Sequence, residues 1–152
     1  MDLSTLLQPT QCLVDQRFTS KAQCLTELSR RAAVALGIEA APIAEALHHR
    51  ESLGSTGLGN GIALPHARLT TISQSFCLLV RLRDPLAFDA VDEKQVDLVC
   101  LVLLPAAPSC EQLNVLACIA RRLRDGSALA AMRKAKEPKT LFAAAAGMTT
   151  ST

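Results

Sequence analysis

One histidine is marked as a candidate for chemistry by the segment that leads to it. His66 ends the stretch Gly54-Ser-Thr-Gly-Leu-Gly-Asn-Gly-Ile-Ala-Leu-Pro-His66, in which four of the chain's seven glycines fall within eight consecutive positions. Histidine side chains ordinarily titrate near pH 6.5, so an imidazole is nucleophilic and largely deprotonated at pH 7. Such a ring can take a phosphoryl group directly from a donor. His66 is therefore the predicted site of covalent chemistry.

The glycine-rich stretch before His66 allows two interpretations. Glycine content alone favours a tight connector between a helix and a strand, by about two to one. The segment has no Gly-Lys-Ser/Thr of a Walker loop, and it follows a predicted helix where a Rossmann motif follows a strand. Its position before an apolar strand, Ile62-Ala63-Leu64, favours an anion site, since Pro65 holds Leu64 extended and His66 follows where the strand leaves the sheet. The predicted phosphate-loop residues are Ser55, Thr56, Gly57, Gly59, Asn60 and Gly61.

Two further polar residues could contact a phosphoryl group on His66. Arg50 lies three residues after Leu47, on the inward side of a predicted helix, and its guanidinium fork matches phosphate oxygens. Without the loop, a surface charge at a helix C-terminus is the better interpretation of Arg50. Gln112 falls in the first turn of a helix after the central strand, where ligands gather in open α/β sheets. A capping box with Ser109 explains Gln112 equally well.

The elements around these residues alternate between helices and strands. Helices are predicted from Lys21 to Leu36, from Pro42 to Glu51, and in three segments after Ser109, the first with Leu113, Leu116, Ala120 and Leu123 on its core face. The predicted strands are 12–14, 62–64, 76–83, 87–91 and 98–104. The last is apolar throughout, which is typical of a central strand covered on both faces. The predicted fold is therefore α/β, with a mixed sheet of about five strands between two helical layers.

Length and composition limit the classes of function. The chain has 152 residues and no linker-like segment, so we expect one domain over residues 1–147 and a loose tail over 148–152. A net charge of +2 and only four aromatic residues argue against nucleic-acid binding. The longest apolar run is too short to span a bilayer, and the N-terminus has no signal-like pattern. The six cysteines form no CxxC pair and are predicted to be reduced, so we expect a soluble cytoplasmic protein.

The other histidines and the metal-binding residue types suggest no further site. His48 and His49 are adjacent on the second predicted helix, off its Ile43/Leu47 face, and are predicted to be solvated. The chain has no HxxxH motif and no cluster of His and Cys. We therefore expect neither a metal centre nor a cofactor.

The segment from Arg50 to His66 closely resembles the active-site signature of enzyme IIA domains of the fructose/mannitol type, from the bacterial phosphoenolpyruvate-dependent phosphotransferase system. The resemblance extends over nearly the whole chain, including Pro85 to Asp92 and Asp97 to Pro105. It is greatest for the nitrogen-regulatory branch. It implies that His66 accepts a phosphoryl group on Nε2, that Arg50 is an active-site arginine, and that the donor is a phosphorylated HPr-like protein.

The resemblance has one departure and leaves the downstream role open. The family commonly has a second active-site histidine where Gln112 stands, and no histidine follows His66 in this chain. Gln112 could still donate a hydrogen bond to a phosphoryl oxygen. Three roles remain: a nitrogen- or metabolism-linked regulator, the enzyme IIA part of a sugar transporter that passes the group to an enzyme IIB, or a protein-binding module in which phosphorylation is only modulatory.

Overall fold

A computed structural model of the chain describes residues 3–107 and 110–147, with only the backbone described over 110–113. The predicted tail 148–152 and the predicted cap Ser109 lie outside the described residues. Within them, the strands are β1 (Cys12–Gln16), β2 (Gly57–Gly59), β3 (Ile62–Ala63), β4 (His66–Leu69), β5 (Phe76–Leu86) and β6 (Val96–Pro105). The helices are α1 (Leu3–Leu6), α2 (Lys21–Leu36), α3 (Ala40–Ser52), α4 (Cys110–Arg124), α5 (Gly126–Lys134) and α6 (Pro138–Ala146).

The strands form one mixed sheet in the order β1-β5-β6-β3-β2, and β4 also pairs with β6. Strand β6 runs antiparallel to β5 and parallel to both β3 and β4. From Leu98 to Leu104 every residue of β6 is at most 2% exposed. The prediction of a mixed sheet with a doubly buried central strand is confirmed, although the described residues contain six strands where about five were expected.

Helices cover both faces of the sheet, as predicted. Leu98, Cys100 and Val102 of β6 belong to a core shared with helices α1, α4, α5 and α6. The alternate residues Val99 and Leu101 belong to a second core shared with α2 and α3. Because successive side chains of a strand point to opposite faces, β6 supplies both cores.

Helices α2 and α3 form where the sequence predicts them, with one shifted boundary. The Ser20 hydroxyl accepts a hydrogen bond from the Gln23 N–H at 3.1 Å and caps α2, and Gly37 ends α2 with φ of 68°. A left-handed residue at this position is a common helix stop that favours glycine. Helix α3 begins at Ala40, two residues before the predicted start at Pro42.

The strand predicted over 87–91 does not form. Phe88 and Ala90 are buried while Asp89 and Val91 are exposed, so the alternation in burial is real. Asp89 nevertheless has φ of 56°, which interrupts the extended backbone, and the segment is assigned to no strand. The alternation of apolar residues comes from a loop. This loop buries the side chains of Phe88 and Ala90 but makes no strand pairing with the sheet.

The predicted core face of helix α4 is confirmed at Leu123, while Leu116 and Ala120 pack against the edge of the core. Val115, Ile119 and Leu123 are buried at spacing i, i+4, i+8, whereas Leu116 and Ala120 are half-buried. The side chain of Leu113 lies outside the described residues. Leu116 thus lies at the edge of the core, where it lines the same cavity as His66.

Candidate functional site

His66 is the first residue of β4, and the chain does not leave the sheet there as predicted. Residues Leu64 and Pro65 interrupt the strand, and His66 resumes pairing with the same neighbour, opposite Val102 of β6. Proline has no N–H to donate to the ladder, which breaks the strand, but its carbonyl still accepts from the Val102 N–H at 2.9 Å. His66 is thereby held by backbone on the central strand.

The surroundings of the His66 ring select one tautomer. Its Nδ1 lies 2.9 Å from the carbonyl oxygen of Leu64. A carbonyl oxygen can only accept, so in the neutral ring Nδ1 carries the proton and donates it. The lone pair is then on Nε2. The half-buried ring therefore presents Nε2 as its nucleophilic atom.

His66 opens onto a cavity of about 360 Å³. The cavity is lined by Ala46, His49, Arg50, Leu53, His66, Ala67, Arg68, Leu104 and Leu116. Two of these residues are arginines, and none of the lining residues that the structure describes carries a carboxylate. We call this space the histidine cavity. Its wall combines apolar side chains with positive charge, which suits an anionic group brought by a protein partner.

Arg50 lies in the histidine cavity, as its position on α3 predicts. Its Nη1 donates to the carbonyl oxygen of Gly54 at 3.0 Å, which ties the guanidinium to the end of its own helix. A guanidinium has five N–H donors, so this bond leaves others for a ligand. The structure thus combines the two interpretations of Arg50, because the side chain stabilises the helix end and also faces the cavity.

The first three predicted phosphate-loop residues already have partners inside the protein. The Thr56 N–H and hydroxyl both donate to the carboxylate of Glu51, at 3.0 Å and 2.8 Å to Oε2. The Ser55 hydroxyl donates to the Phe88 carbonyl and accepts from the Gly57 N–H. None of Ser55, Thr56 and Gly57 lines the histidine cavity.

The other three form a turn between β2 and β3. Gly59, Asn60 and Gly61 all have positive φ, of 91°, 55° and 81°. The Asn60 N–H donates to Asp92 Oδ2 at 3.0 Å, and the Gly61 carbonyl accepts from the N–H groups of Asp97 and Leu98. This turn lies against the start of β6, whereas His66 pairs farther along it. The structure does not bring the turn to His66.

The position of Gln112 is described only by its backbone. It falls in the first turn of α4, as predicted, and its side chain lies outside the described residues. The neighbouring turn of the same helix contributes Leu116 to the histidine cavity.

His48 and His49 are not simply solvated as the sequence predicts. The His48 ring is half-buried, with Nε2 3.0 Å from the Thr26 hydroxyl. His49 is exposed but lines the histidine cavity beside Arg50. Their offset of about 100° on α3 turns one toward α2 and the other toward β4. Which neighbour covers each face is decided by helix packing, for which the sequence carries no signal.

Sequence reasoning also missed Glu51, which is buried beside the loop with its side chain only 5% exposed. Its carboxylate lies 3.5 Å from Lys21 Nζ and accepts from Thr56. A signal was present, since Glu51 lies four residues after the inward-facing Leu47. A buried carboxylate requires such partners.

Comparison with known proteins places these features in a family. The family model "Phosphoenolpyruvate-dependent sugar phosphotransferase system, EIIA 2" matches residues 5–145. The nitrogen regulatory protein of Bradyrhizobium diazoefficiens is 35% identical over 142 residues, which cover 93% of each chain. The chain belongs to the type 2 enzyme IIA family.

Two further relatives illustrate the range of this enzyme IIA family. The crystal structure of IIA-Ntr from Neisseria meningitidis superposes with a TM-score of 0.88 at 29% identity, over 94% of this chain and 98% of that one. The 2-O-alpha-mannosyl-D-glycerate-specific EIIABC component of Escherichia coli is 31% identical over 95% of this chain, which corresponds to 22% of that protein. The enzyme IIA fold thus occurs both in nitrogen regulatory proteins and in a larger component of a sugar system.

Other classes of site are not found in this enzyme IIA chain among the residues that the structure describes. These residues include no group of three or more His, Cys, Asp or Glu side chains that could hold a metal ion. No described helix is long and apolar enough to cross a membrane. Cys12, Cys24, Cys77 and Cys100 are free and buried, and burial raises the pKa of the first three to about 12.

Proposed function

We propose that the protein is a phosphoryl carrier that accepts a phosphoryl group on Nε2 of His66 from a phosphorylated HPr-like protein. The observation that supports this most directly is the hydrogen bond from Nδ1 to the Leu64 carbonyl, which leaves the Nε2 lone pair free. The histidine cavity supplies space and positive charge in front of the ring. No cofactor is required.

The transfer is a displacement at phosphorus. The Nε2 lone pair forms the new N–P bond while the bond between phosphorus and the donor's leaving atom breaks, and that electron pair returns to the donor. Nδ1 keeps its proton throughout, and its bond to Leu64 stabilises the positive charge that spreads over the ring. Charge on the three phosphoryl oxygens is what the protein must stabilise in such a loose transition state.

We assign that electrostatic role to Arg50, with its free N–H donors directed at the phosphoryl oxygens. Gln112 is proposed as a further donor from the first turn of α4, in place of the family's second histidine. The glycine-rich loop is assigned to holding Leu64 and His66 in position, since its N–H groups at Thr56, Gly57 and Asn60 have acceptors within the protein.

The downstream role that we propose is regulatory and linked to nitrogen metabolism. In support, the chain matches the Bradyrhizobium nitrogen regulatory protein over 93% of that protein's length. Transfer to an enzyme IIB is the second candidate, because the mannosylglycerate-specific relative combines the A part with B and C parts. Either role would be carried out in the cytoplasm, where the buried thiols of Cys12, Cys24 and Cys77 stay reduced.

The acceptor assignment is tested by incubating the chain with a phosphorylated HPr-like donor. One acid-labile phosphoryl group per chain is expected, and His66→Ala should take up none. His48→Ala is the matched control, because His48 bonds to Thr26 outside the histidine cavity. Normal phosphorylation of His66→Ala would refute the assignment.

The downstream role is tested by affinity capture with the wild type, His66→Ala and His66→Asp. A regulator switched by phosphorylation should capture different partners, or the same partner with different affinity, when a negative charge replaces the ring. Identical partners and affinities for all three would favour the binding module in which phosphorylation is only modulatory. Phosphoryl transfer from the loaded chain to an enzyme IIB would favour the transport role.

A further inference from the structure

A continuous series of hydrogen bonds links a buried carboxylate to the His66 ring. It starts at Glu51, whose carboxylate accepts from both the N–H and the hydroxyl of Thr56. The Thr56 carbonyl accepts from the Leu64 N–H at 2.9 Å. The Leu64 carbonyl then accepts from His66 Nδ1 at 2.9 Å. Each bond in the series orients the group that makes the next one.

The backbone between the last two bonds leaves little freedom. Leu64 precedes a proline, which restricts it to extended conformations. Pro65 has a fixed φ, and its carbonyl is bound to the Val102 N–H. With the Leu64 N–H bound to Thr56, these restraints confine the Leu64 carbonyl to a narrow range of directions, and in the structure it accepts from Nδ1 of His66.

The start of the series is well anchored. Glu51 is buried, and hydrogen bonds to an ionised acceptor are among the strong ones. The Lys21 Nζ lies 3.5 Å from Glu51 Oε1 and 3.0 Å from Asp89 Oδ2. Its positive charge therefore compensates the buried carboxylate of Glu51. Removing the Glu51 carboxylate would leave two donors of a buried threonine without their acceptor, and Thr56 is itself only 5% exposed.

We propose that Glu51 is a positioning residue for His66, which selects the Nδ1-protonated tautomer through Thr56 and Leu64 and so leaves Nε2 as the nucleophile. This inference rests on the proposed role of His66 as phosphoacceptor. Glu51 does not line the histidine cavity, so it acts on the ring only through the backbone. It differs in this respect from Arg50, its neighbour in the sequence.

The test measures the tautomer directly, by ¹⁵N NMR of the His66 ring in unphosphorylated protein at mildly alkaline pH. The wild type should show the proton on Nδ1. Glu51→Ala should shift population toward the Nε2-protonated form and slow phosphorylation by roughly tenfold or more, as expected when a reacting group loses its orientation. Glu51→Gln keeps one acceptor oxygen and should be intermediate. Glu45→Ala is the matched control, an exposed glutamate on the same helix.

A second pair of variants covers the case in which Glu51→Ala does not fold. Thr56→Val removes the hydroxyl that donates to Glu51 but keeps both backbone groups, and Thr56→Ser restores the hydroxyl. The tautomer should shift in Thr56→Val and return in Thr56→Ser. A folded Glu51→Ala with an unchanged tautomer would overturn the proposal, as would equal tautomer fractions in the two Thr56 variants.

These outcomes are separate from the fate of the acceptor assignment. The NMR measurement needs no phosphoryl donor, so it decides the role of Glu51 even if a donor fails to phosphorylate the wild type. Conversely, an unchanged tautomer in the Glu51 variants would leave phosphorylation of His66 intact.

Discussion

Two arginines on different helices, Arg50 of α3 and Arg133 of α5, each border a cavity but differ in what their guanidinium groups bind. Arg133 borders a cavity of about 430 Å³ beside the turn at Asn60 and Gly61, and Arg50 borders the histidine cavity of about 360 Å³. The Arg133 guanidinium donates to both carboxylate oxygens of Asp97 and to the Asn60 carbonyl. Within residues 3–107 and 114–147, the Arg50 guanidinium makes one hydrogen bond, to the Gly54 carbonyl.

The two guanidinium groups differ in how many of their N–H donors are already bound within the described protein. Asp97 neutralises the charge of Arg133 and occupies its fork, so that arginine fastens α5 to the turn. Among the described residues, those lining the cavity that Arg50 faces include no carboxylate, and the only acceptor of its guanidinium is the Gly54 carbonyl. The two cavities are similar in volume, so volume does not distinguish the two sites. They differ in whether the N–H donors of the arginine already bind acceptors among the described residues. On this comparison we assign the turn at residues 59–61 to holding the fold together and propose the histidine cavity as the place where an anion binds.

The largest expected effect comes from replacing each arginine by alanine and comparing the rates of His66 phosphorylation. Arg50→Ala is expected to slow phosphorylation of His66 by about a hundredfold, because it removes the main donor to the developing charge. Arg50→Lys should recover only part of the rate, since an ammonium cannot reproduce the fork. Arg133→Ala should leave the rate near that of the wild type at a temperature where it is folded. Equal losses in Arg50→Ala and Arg133→Ala, measured with a phosphorylated donor, would contradict the distinction.

A substitution in the turn at residues 59–61 should instead lower the stability of the fold and leave the rate of His66 phosphorylation unchanged. Gly61→Ala would place a Cβ at φ of 81°, 2.9 Å from Asp97 Oδ1 and against the Arg133 guanidinium. We expect a loss of about 2 kcal/mol in the free energy of unfolding, from backbone strain and displaced side chains. Denaturant unfolding measures it.

Gly126→Ala is the matched control, because a Cβ there meets nothing within 4 Å. Its change in unfolding free energy should stay within about 0.5 kcal/mol. Equal effects at Gly61 and Gly126 would show that the contacts with Asp97 and Arg133 do not constrain the turn.

The ion pair between Arg133 and Asp97 should contribute less to the free energy of unfolding than is lost in Gly61→Ala. Arg133 and Asp97 are about one-third exposed, with side-chain values of 35% and 31%. Solvent screens such a pair, so Asp97→Asn should cost about 1 kcal/mol in unfolding free energy. The loss should shrink in high salt. A loss that exceeds that of Gly61→Ala in the same unfolding assay would reverse the expected order.

The smallest expected effect is a pH dependence that also comes from the turn. The N–H groups of Asn60 and Lys94 hold the pKa of Asp92 below its usual range. A carboxyl whose pKa is lower in the folded state contributes stability above its unfolded value, near pH 4, and loses it as the pH falls through the folded value. Unfolding measured from neutral to acidic pH should show a shallower acid decline in Asp92→Asn. If the stability curves of the wild type and Asp92→Asn coincide over this pH range, Asp92 does not contribute to the pH dependence.

The sequence predicts much of this architecture because local rules and tertiary packing agree. Ser20 and Gly37 delimit α2 at the predicted residues, and the unbroken apolar run of β6 indicates a strand covered on both faces. They disagree at 87–91, where burial alternates without a strand. They agree only in part on α4, where Leu123 is buried as predicted but Val115 and Ile119 take the central positions expected for Leu116 and Ala120. Periodicity reports which residues turn inward, but pairing and packing decide what they meet.

For the candidate site, the sequence by itself singled out His66 and placed it directly after a short apolar strand, although it did not predict that His66 pairs with β6. Pro65 restricts Leu64, the residue before it, to extended backbone. The apolar spacing of the second predicted helix places Arg50 near its end. Only the tertiary structure decided which polar groups are already occupied. It places Glu51 against Thr56, Asp92 against Asn60 and Asp97 against Arg133. The last two partnerships join residues more than thirty positions apart, and no local spacing encodes them. The protonation of His66 on Nδ1 is likewise a tertiary property, because it depends on the direction of the Leu64 carbonyl.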